Sequence, residues 1–150
     1  MSGSFSLAVS KFVEQAKDNM DEVKRSVVLQ LASAIVERSP VGDPNNWVSK
    51  PPPGYIGGHF RANWQIALDQ PASGILNEID AQGIATKKRL AAEVESIYAG
   101  SVANITNNLP YGPRLEFESW SSQAPQGMVR ITVAEFQTMV NNAVKEVTSK

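Results

Sequence analysis

The sequence predicts an α+β fold in which a small antiparallel sheet packs against long N- and C-terminal helices. Three observations predict it. Both ends of the chain carry apolar residues at helical spacing. The middle holds short alternating runs separated by glycine and proline. The order of these segments is helix, strands, helix, strand, helix. A length of 150 residues fits a single domain over 1–150, with enough surface to bury for one modest core.

The first helix is expected over 5–38. Phe5, Val9, Phe12, Val13, Ala16, Met20, Val23, Val27, Leu31 and Ile35 form its apolar stripe, and Ser4 or Ser6 is placed to cap its start. Glu14, Lys17, Asp18, Asp21, Lys24 and Arg25 lie opposite, with Asp21 and Arg25 spaced as an i,i+4 pair. This face reads as solvated or as a docking face. Ser39-Pro40 stops the helix, because a residue before proline is pushed out of the α region.

An extended loop follows at 39–58, with Pro51-Pro52-Pro53 favouring polyproline II geometry. Loops of this length are uncommon inside compact domains and are often functional. Trp47 and Tyr55 are apolar anchors that need a covering surface. The loop is therefore either an arm that packs on another chain or a mobile surface segment.

Residues 60–69 alternate, with Phe60, Ala62, Trp64, Ile66 and Leu68 on one face, as in a half-buried strand. A turn at 70–74 leads to a second short strand at 75–79. A helix is expected over 85–99, with Leu90, Val94, Ile97 and Tyr98 on its inner side and Gly100 as its stop. Residues 101–106 read as a strand, and 109–118 as a turn with a short helix. The last helix is expected over 124–147, with Met128, Val129, Thr132, Val133, Phe136, Val140, Ala143 and Val147 as its stripe.

Composition narrows the chemistry. With no cysteine and one histidine, disulfides and thiolate metal sites are excluded, and a zinc site would rest on carboxylates, which zinc seldom uses alone. The chain fits a reducing compartment. Its first residues lack the pattern of a secretory signal, and no apolar run is long enough to span a membrane. The net charge of −1 argues against broad nucleic-acid binding. His59 lies beside a glycine-rich loop with no positioned nucleophile, and it reads as a surface histidine. Gly54-Tyr55-Ile56-Gly57-Gly58 lacks the Gly-Lys-Ser/Thr ending of a phosphate loop. Glu116 and Glu118 do not form a hydrolytic pair unless they flank a cleft. Lys87-Lys88-Arg89 is offset by Glu93 and Glu95. No catalytic residue, metal site or cofactor is expected, and the chain does not read as an enzyme. Residues 62–86 carry Asp69, Glu78 and Asp80 and no lysine or arginine. If these acids line a pore, their field lets a DNA duplex pass without sticking.

Three blocks carry a family resemblance. The first is the long N-terminal helix ending in Ser39-Pro40-Val41-Gly42-Asp43. The second is Gly58-His59-Phe60-Arg61-Ala62-Asn63-Trp64. The third, the most specific, is Ile105-Thr106-Asn107-Asn108-Leu109-Pro110-Tyr111-Gly112-Pro113-Arg114-Leu115-Glu116 followed by Gln123-Ala124-Pro125-Gln126-Gly127-Met128-Val129. Together they resemble tailed-bacteriophage neck proteins, the head–tail joining or tail-completion proteins of long-tailed phages. The chain departs from the family in its loop, where about fifteen extra residues including Pro51–Pro53 stand in place of a short Asp-Thr-Gly turn, and in Glu118, where glycine is typical. The resemblance implies a virion structural protein, assembled in the bacterial host cytoplasm and expected to form a hexameric ring. Its partners would be copies of itself, the connector or adaptor, and the tail-tube or terminator proteins, with DNA passing through the lumen unbound. Such a ring is heterologous. Trp47, Tyr55, Arg61, Trp64, Tyr111, Arg114 and Glu116 are the candidates to build or brace its interface, although Trp64 and Tyr111 equally fit core positions. The alternatives are a tail terminator capping the tube, a nucleic-acid-binding accessory protein, or a hydrolase using Glu116 or Glu118.

Overall fold

The computed structural model describes residues 2–47 and 49–149, with side chains from Ser6 onward; the expected stripe residue Phe5 and the cap Ser4 lie outside the described side chains. The architecture is α+β, with 54% of the chain helical and 6% in strands, so helices supply most of the core. The elements are α1 (Ser2–Arg38), α2 (His59–Ala62), β1 (Gln65–Leu68), α3 (Ile84–Glu93), β2 (Ala103–Thr106), α4 (Gly112–Phe117), α5 (Val129–Val133) and α6 (Phe136–Thr148).

Helix α1 runs 37 residues, or about 55 Å at 1.5 Å per residue. Its C-terminal half carries the core: Val28, Ala32, Ile35 and Val36 pack with Phe60, Trp64, Ile66, Leu90, Val94, Ile97, Leu115 and Met128. Helix α6 lies antiparallel along α1. Arg38 Nη2 bonds Glu135 Oε1 at 2.6 Å, and Ser26 Oγ meets Glu146 Oε2 at 3.5 Å. Helix α6 ends at Thr148 beside Asn19 and Met20. Beyond that point the expected stripe has no partner among the described residues. Every described residue from 6 to 18 is exposed, and Phe12 leaves 72% of its surface in water. The periodicity was sufficient to make the helix, but only half of it is covered.

The opposite face of α1 grips a turn. Asp21 Oδ1 accepts from Ala99 N at 2.7 Å, Arg25 Nε donates to Ile97 O at 2.7 Å, and Lys24 Nζ donates to Ser101 O. The expected Asp21–Arg25 pair gives way to these contacts, which satisfy backbone groups that a turn leaves open.

The sheet is smaller than expected. Its two strands are antiparallel, with Gln65 opposite Thr106 and Leu68 opposite Ala103. The expected strand over 60–69 starts only at Gln65, because Gly58 at φ 118° opens a helical turn and Ala62 N closes it on Gly58 O at 3.0 Å. A side chain at Gly58 would put Cβ 2.5 Å from Ala81 N, so glycine is required there. Residues 75–79 form no strand. Buried Asn63 holds that segment instead: its amide donates to Leu76 O at 3.0 Å and accepts from Leu76 N at 2.8 Å, the pair of bonds a neighbouring strand would make.

The middle helix ends earlier than expected, at Glu93, and continues as a 3-10 turn over Val94–Ser96. Leu90, Val94 and Ile97 are buried as expected, whereas Tyr98 is exposed. The long C-terminal helix expected over 124–147 is two helices, separated at 134–135. Residues 124–128 form turns because Gly127 takes φ 83°. Met128, Thr132, Ala143 and Val147 are buried, but Val133 and Phe136 face outward.

Candidate functional site

Glu116 is the most heavily committed side chain of the third block. Helix α4, opened by Gly112-Pro113 with proline in its first turn, presents the Glu116 carboxylate to the start of α5. It accepts from Met128 N at 2.7 Å, Val129 N at 3.0 Å and Arg130 N at 2.9 Å. The Arg130 guanidinium closes over it, with Nε 3.2 Å from Oε1 and Nη2 donating to Glu116 O. The carboxylate thus satisfies N–H groups that a helix start leaves orphaned. Burial pushes the Glu116 carboxyl up, but the donors from Met128, Arg130 and Val129 outweigh it and hold it below its ordinary value of 4.5. Gly127 makes the approach possible, since a Cβ there would lie 2.7 Å from the carboxylate.

Arg61 closes a second junction. Its guanidinium donates to Ser39 O at 2.7 Å, Ala81 O at 2.7 Å and Glu37 O at 3.1 Å. Two of these carbonyls belong to the end of α1, where a cation is favoured by the helix dipole. Ser39 Oγ accepts from Trp64 Nε1 at 2.7 Å and donates to Ile35 O at 2.7 Å. The stop Ser39-Pro40 is therefore tied to both Arg61 and Trp64.

Arg89 and Glu93, one turn apart on α3, serve the open edge of β1. Arg89 Nη2 donates to Ala62 O at 3.0 Å and Trp64 O at 2.9 Å, and Glu93 Oε2 accepts from Ile66 N at 2.8 Å. Arg89 Nη1 and Glu93 Oε1 pair at 2.6 Å. Two side chains thus replace a missing third strand. The basic cluster is spent accordingly: Arg89 braces the sheet, Lys87 pairs with Glu37, and Lys88 alone stays exposed. Arg89→Ala is expected to lower stability by about 3 kcal/mol, because it orphans two carbonyls and leaves Glu93 half-buried and unpaired. Arg89→Lys should recover less than half of that, since an ammonium lacks the fork that bridges the two carbonyls. The urea midpoint at unchanged slope measures both.

The three candidate lumen acids differ. Asp80 caps α3, accepting from Gly83 N at 3.0 Å and from Thr86 N and Oγ1 at 2.8 Å each. Burial raises its carboxyl, but these donors and the Arg61 charge bring it below 3.8. Asp69, at φ 63°, accepts from Val102 N at 2.9 Å and ends the strand pair. Glu78 is exposed, with Arg89 Nε 3.7 Å away. Asp80 is thus a helix cap, and the other two remain at the surface.

The remaining candidates fall into two groups. Trp64 is 6% exposed and lies edge-on to Phe60 with centroids 5.8 Å apart; of its two expected places, interface and core, this burial is that of the core. The expected place of Glu116 in a contact surface is corrected by burial: it is 7% exposed and turned inward because helix α5 needs an acceptor. Arg61 braces from within. Tyr111 is half-buried against Phe60 at 5.7 Å, and burial, with the Tyr55 hydroxyl second, raises its phenol above 10.0. Arg114 is exposed and lies 5.1 Å over the Trp120 ring, itself exposed. The Trp47 and Tyr55 rings pack against each other at a tilt of 57°, with centroids 4.7 Å apart. They hold the 39–58 loop on itself, and Gln123 clasps Val41 through N–H and C=O at 3.0 and 2.8 Å. The candidates therefore do not converge on one patch. Arg114, Trp47 and the partly covered Tyr55 and Tyr111 are outward; Arg61, Trp64 and Glu116 stabilise what lies behind them.

His59 Nδ1 lies 2.9 Å from Glu78 O, and the described residues contain no group of three His, Asp or Glu side chains able to hold a metal ion. None of their helices is long and apolar enough to cross a membrane. An apolar surface not expected from the sequence is open to water: Val9, Phe12 and Val13 on the α1 arm, and an open groove of about 410 Å³ at its base lined by Met20, Val23, Val144 and Val147. The available signal was the mismatch in length between the two terminal helices, 5–38 against 124–147. A second shallow depression lies between Ile56, Ile79 and Ile84, all exposed.

In comparisons with known proteins, the chain matches no family model, no curated protein and no solved structure.

Proposed function

We propose that this chain is a virion structural protein of a long-tailed bacteriophage, forming a ring at the head–tail junction that joins connector to tail tube and lets DNA pass. The observation that supports it most is the pairing of a braced body with an uncovered apolar arm. Arg61, Arg89, Asp80 and Glu116 spend their charge on internal backbone groups, while the α1 arm leaves Leu7, Val9, Phe12 and Val13 in water. Monomers seldom carry such patches, which mark sites of association. The resemblance of the three sequence blocks supplies the setting, and adhesion between copies supplies the activity. No catalytic step is assigned.

The experiment is quantitative mass spectrometry of purified particles of the phage that encodes the chain. The expected result is several copies per particle, in constant ratio to the connector. Its absence, or a single copy, overturns the proposal. Incubation of the purified protein with tail tubes then separates the two roles within the class: a ring that forms only on tubes indicates a terminator or completion factor.

A further inference from the structure

We propose that the α1 arm of one copy docks, head to tail, in the α1–α6 groove of the next. Val9, Val13, Ala16, Met20, Val23 and Val27 follow alternating steps of four and three, the 3.5-residue spacing of a helix-packing seam. The end of this seam is already in use inside the chain: Val27 is buried, and Val23 and Met20 line the groove with Val144 and Val147. The unpaired positions thus continue an existing α1–α6 interface. Phe12, one position from the seam and exposed, widens the stripe on one side.

The receiving surface is on the same chain. Helix α6 buries Met139, Ala143 and Val147, yet Phe136, in its first turn, and Val144 are exposed and Val140 is half-buried between them, an i, i+4, i+8 row along the outer edge of the buried face. Val144 belongs to both the groove and this outer row. The arm does not reach it within one molecule. Helix α1 is continuous from Ser2 to Arg38, and its first residues point past the end of α6. Two apolar surfaces that one chain cannot bring together are satisfied by a second copy. Charge does not oppose this: Lys11 and Lys17 balance Glu14 and Asp18 on the arm, as Lys145 balances Glu146 on α6. An interface of about 800 Å² per partner is the usual size, more than scattered side chains supply and within the scale of a helical arm lying in a groove. The contact uses different surfaces on its two sides, so it propagates and closes when the rotation allows.

This pairing deepens the ring reading above. It is tested on the purified full chain by light scattering over a range of concentrations. The unmodified protein is expected to associate. Phe12→Glu with Val13→Glu disables the arm, and Phe136→Glu with Val144→Glu disables the receiving surface. Each variant alone should associate at least tenfold more weakly, and an equimolar mixture should give a one-to-one dimer, because each supplies the surface the other lacks. Three results overturn the proposal: an unmodified protein that stays monomeric, a receiving-surface variant that still self-associates through its arms, or a mixture that stays monomeric. If a charged variant unfolds, judged by circular dichroism, Val13→Cys and Val144→Cys in this cysteine-free chain replace it. Their mixture should oxidise to the mixed disulfide in preference to either homodimer, and the opposite preference overturns the pairing. Absence from phage particles would remove the virion reading while leaving this contact intact.

Discussion

Glu116→Ala is expected to destabilise the isolated protein by about 2–4 kcal/mol. Loss of a helix cap alone costs about 0.5–2 kcal/mol. The rest comes from Met128, whose N–H is 2.7 Å from the carboxylate and which as a whole residue is 1% exposed, so water does not replace the lost acceptor. Val129 and Arg130 lie nearer the surface and contribute less. Glu116→Gln should recover little, because its amide NH₂ faces backbone donors. The effect carries a pH signature. The carboxyl is held below its ordinary 4.5 in the folded state. Its contribution is therefore fully present above about pH 4.5 and is lost as pH falls through the folded value. Asp80 shifts in the same direction, so the informative quantity is the difference between the unmodified protein and Glu116→Ala. That difference should be constant from neutral pH to about 5 and shrink in acid. Denaturant titrations across this range check it, and a difference that grows in acid contradicts the assignment of Glu116 as a charged cap.

Trp64→Ala is expected to cost about 3–5 kcal/mol, or roughly 10 °C or more in melting temperature for a chain of this size. The loss combines a cavity between Phe60 and the α1 core with a broken junction. Trp64 Nε1 donates to Ser39 Oγ, and Ser39 holds the end of α1. Trp64→Phe fills most of the cavity but forfeits that bond, so it should fall between, at about 1–3 kcal/mol. Thermal melting of the purified variants measures both. If Trp64→Ala melts like the unmodified protein and loses only assembly, the ring belongs to the interface after all.

How much of this was legible beforehand varies by element. The α1 helix, its stop at Ser39-Pro40 and the buried Leu90, Val94 and Ile97 follow from spacing, because a helical period and a proline act locally. The strand expected over 60–69 shows where spacing misleads. Phe60, Ala62, Trp64 and Ile66 are all buried, as the alternation requires, yet the first two sit in a helical turn set by Gly58. Burial was read correctly and geometry was not, since both forms place those side chains on the core. For the candidate residues, Trp64 stands in an alternating run and Glu116 in a turn-rich segment, and neither local pattern states which way the side chain turns. Their direction depended on contacts with Ser39 and with residues 128–130, distant in sequence.

The sequence alone determined the α+β class, the helical ends and the absence of thiol chemistry, because composition and short-range periodicity are properties of neighbouring residues. Tertiary structure alone decided which apolar stripe would be covered. Helix α6 is too short to follow α1 to its start, so side chains of one continuous pattern are core at Val27 and surface at Phe12. Burial is a relation between segments, and the pattern that makes a helix does not state how far its partner extends.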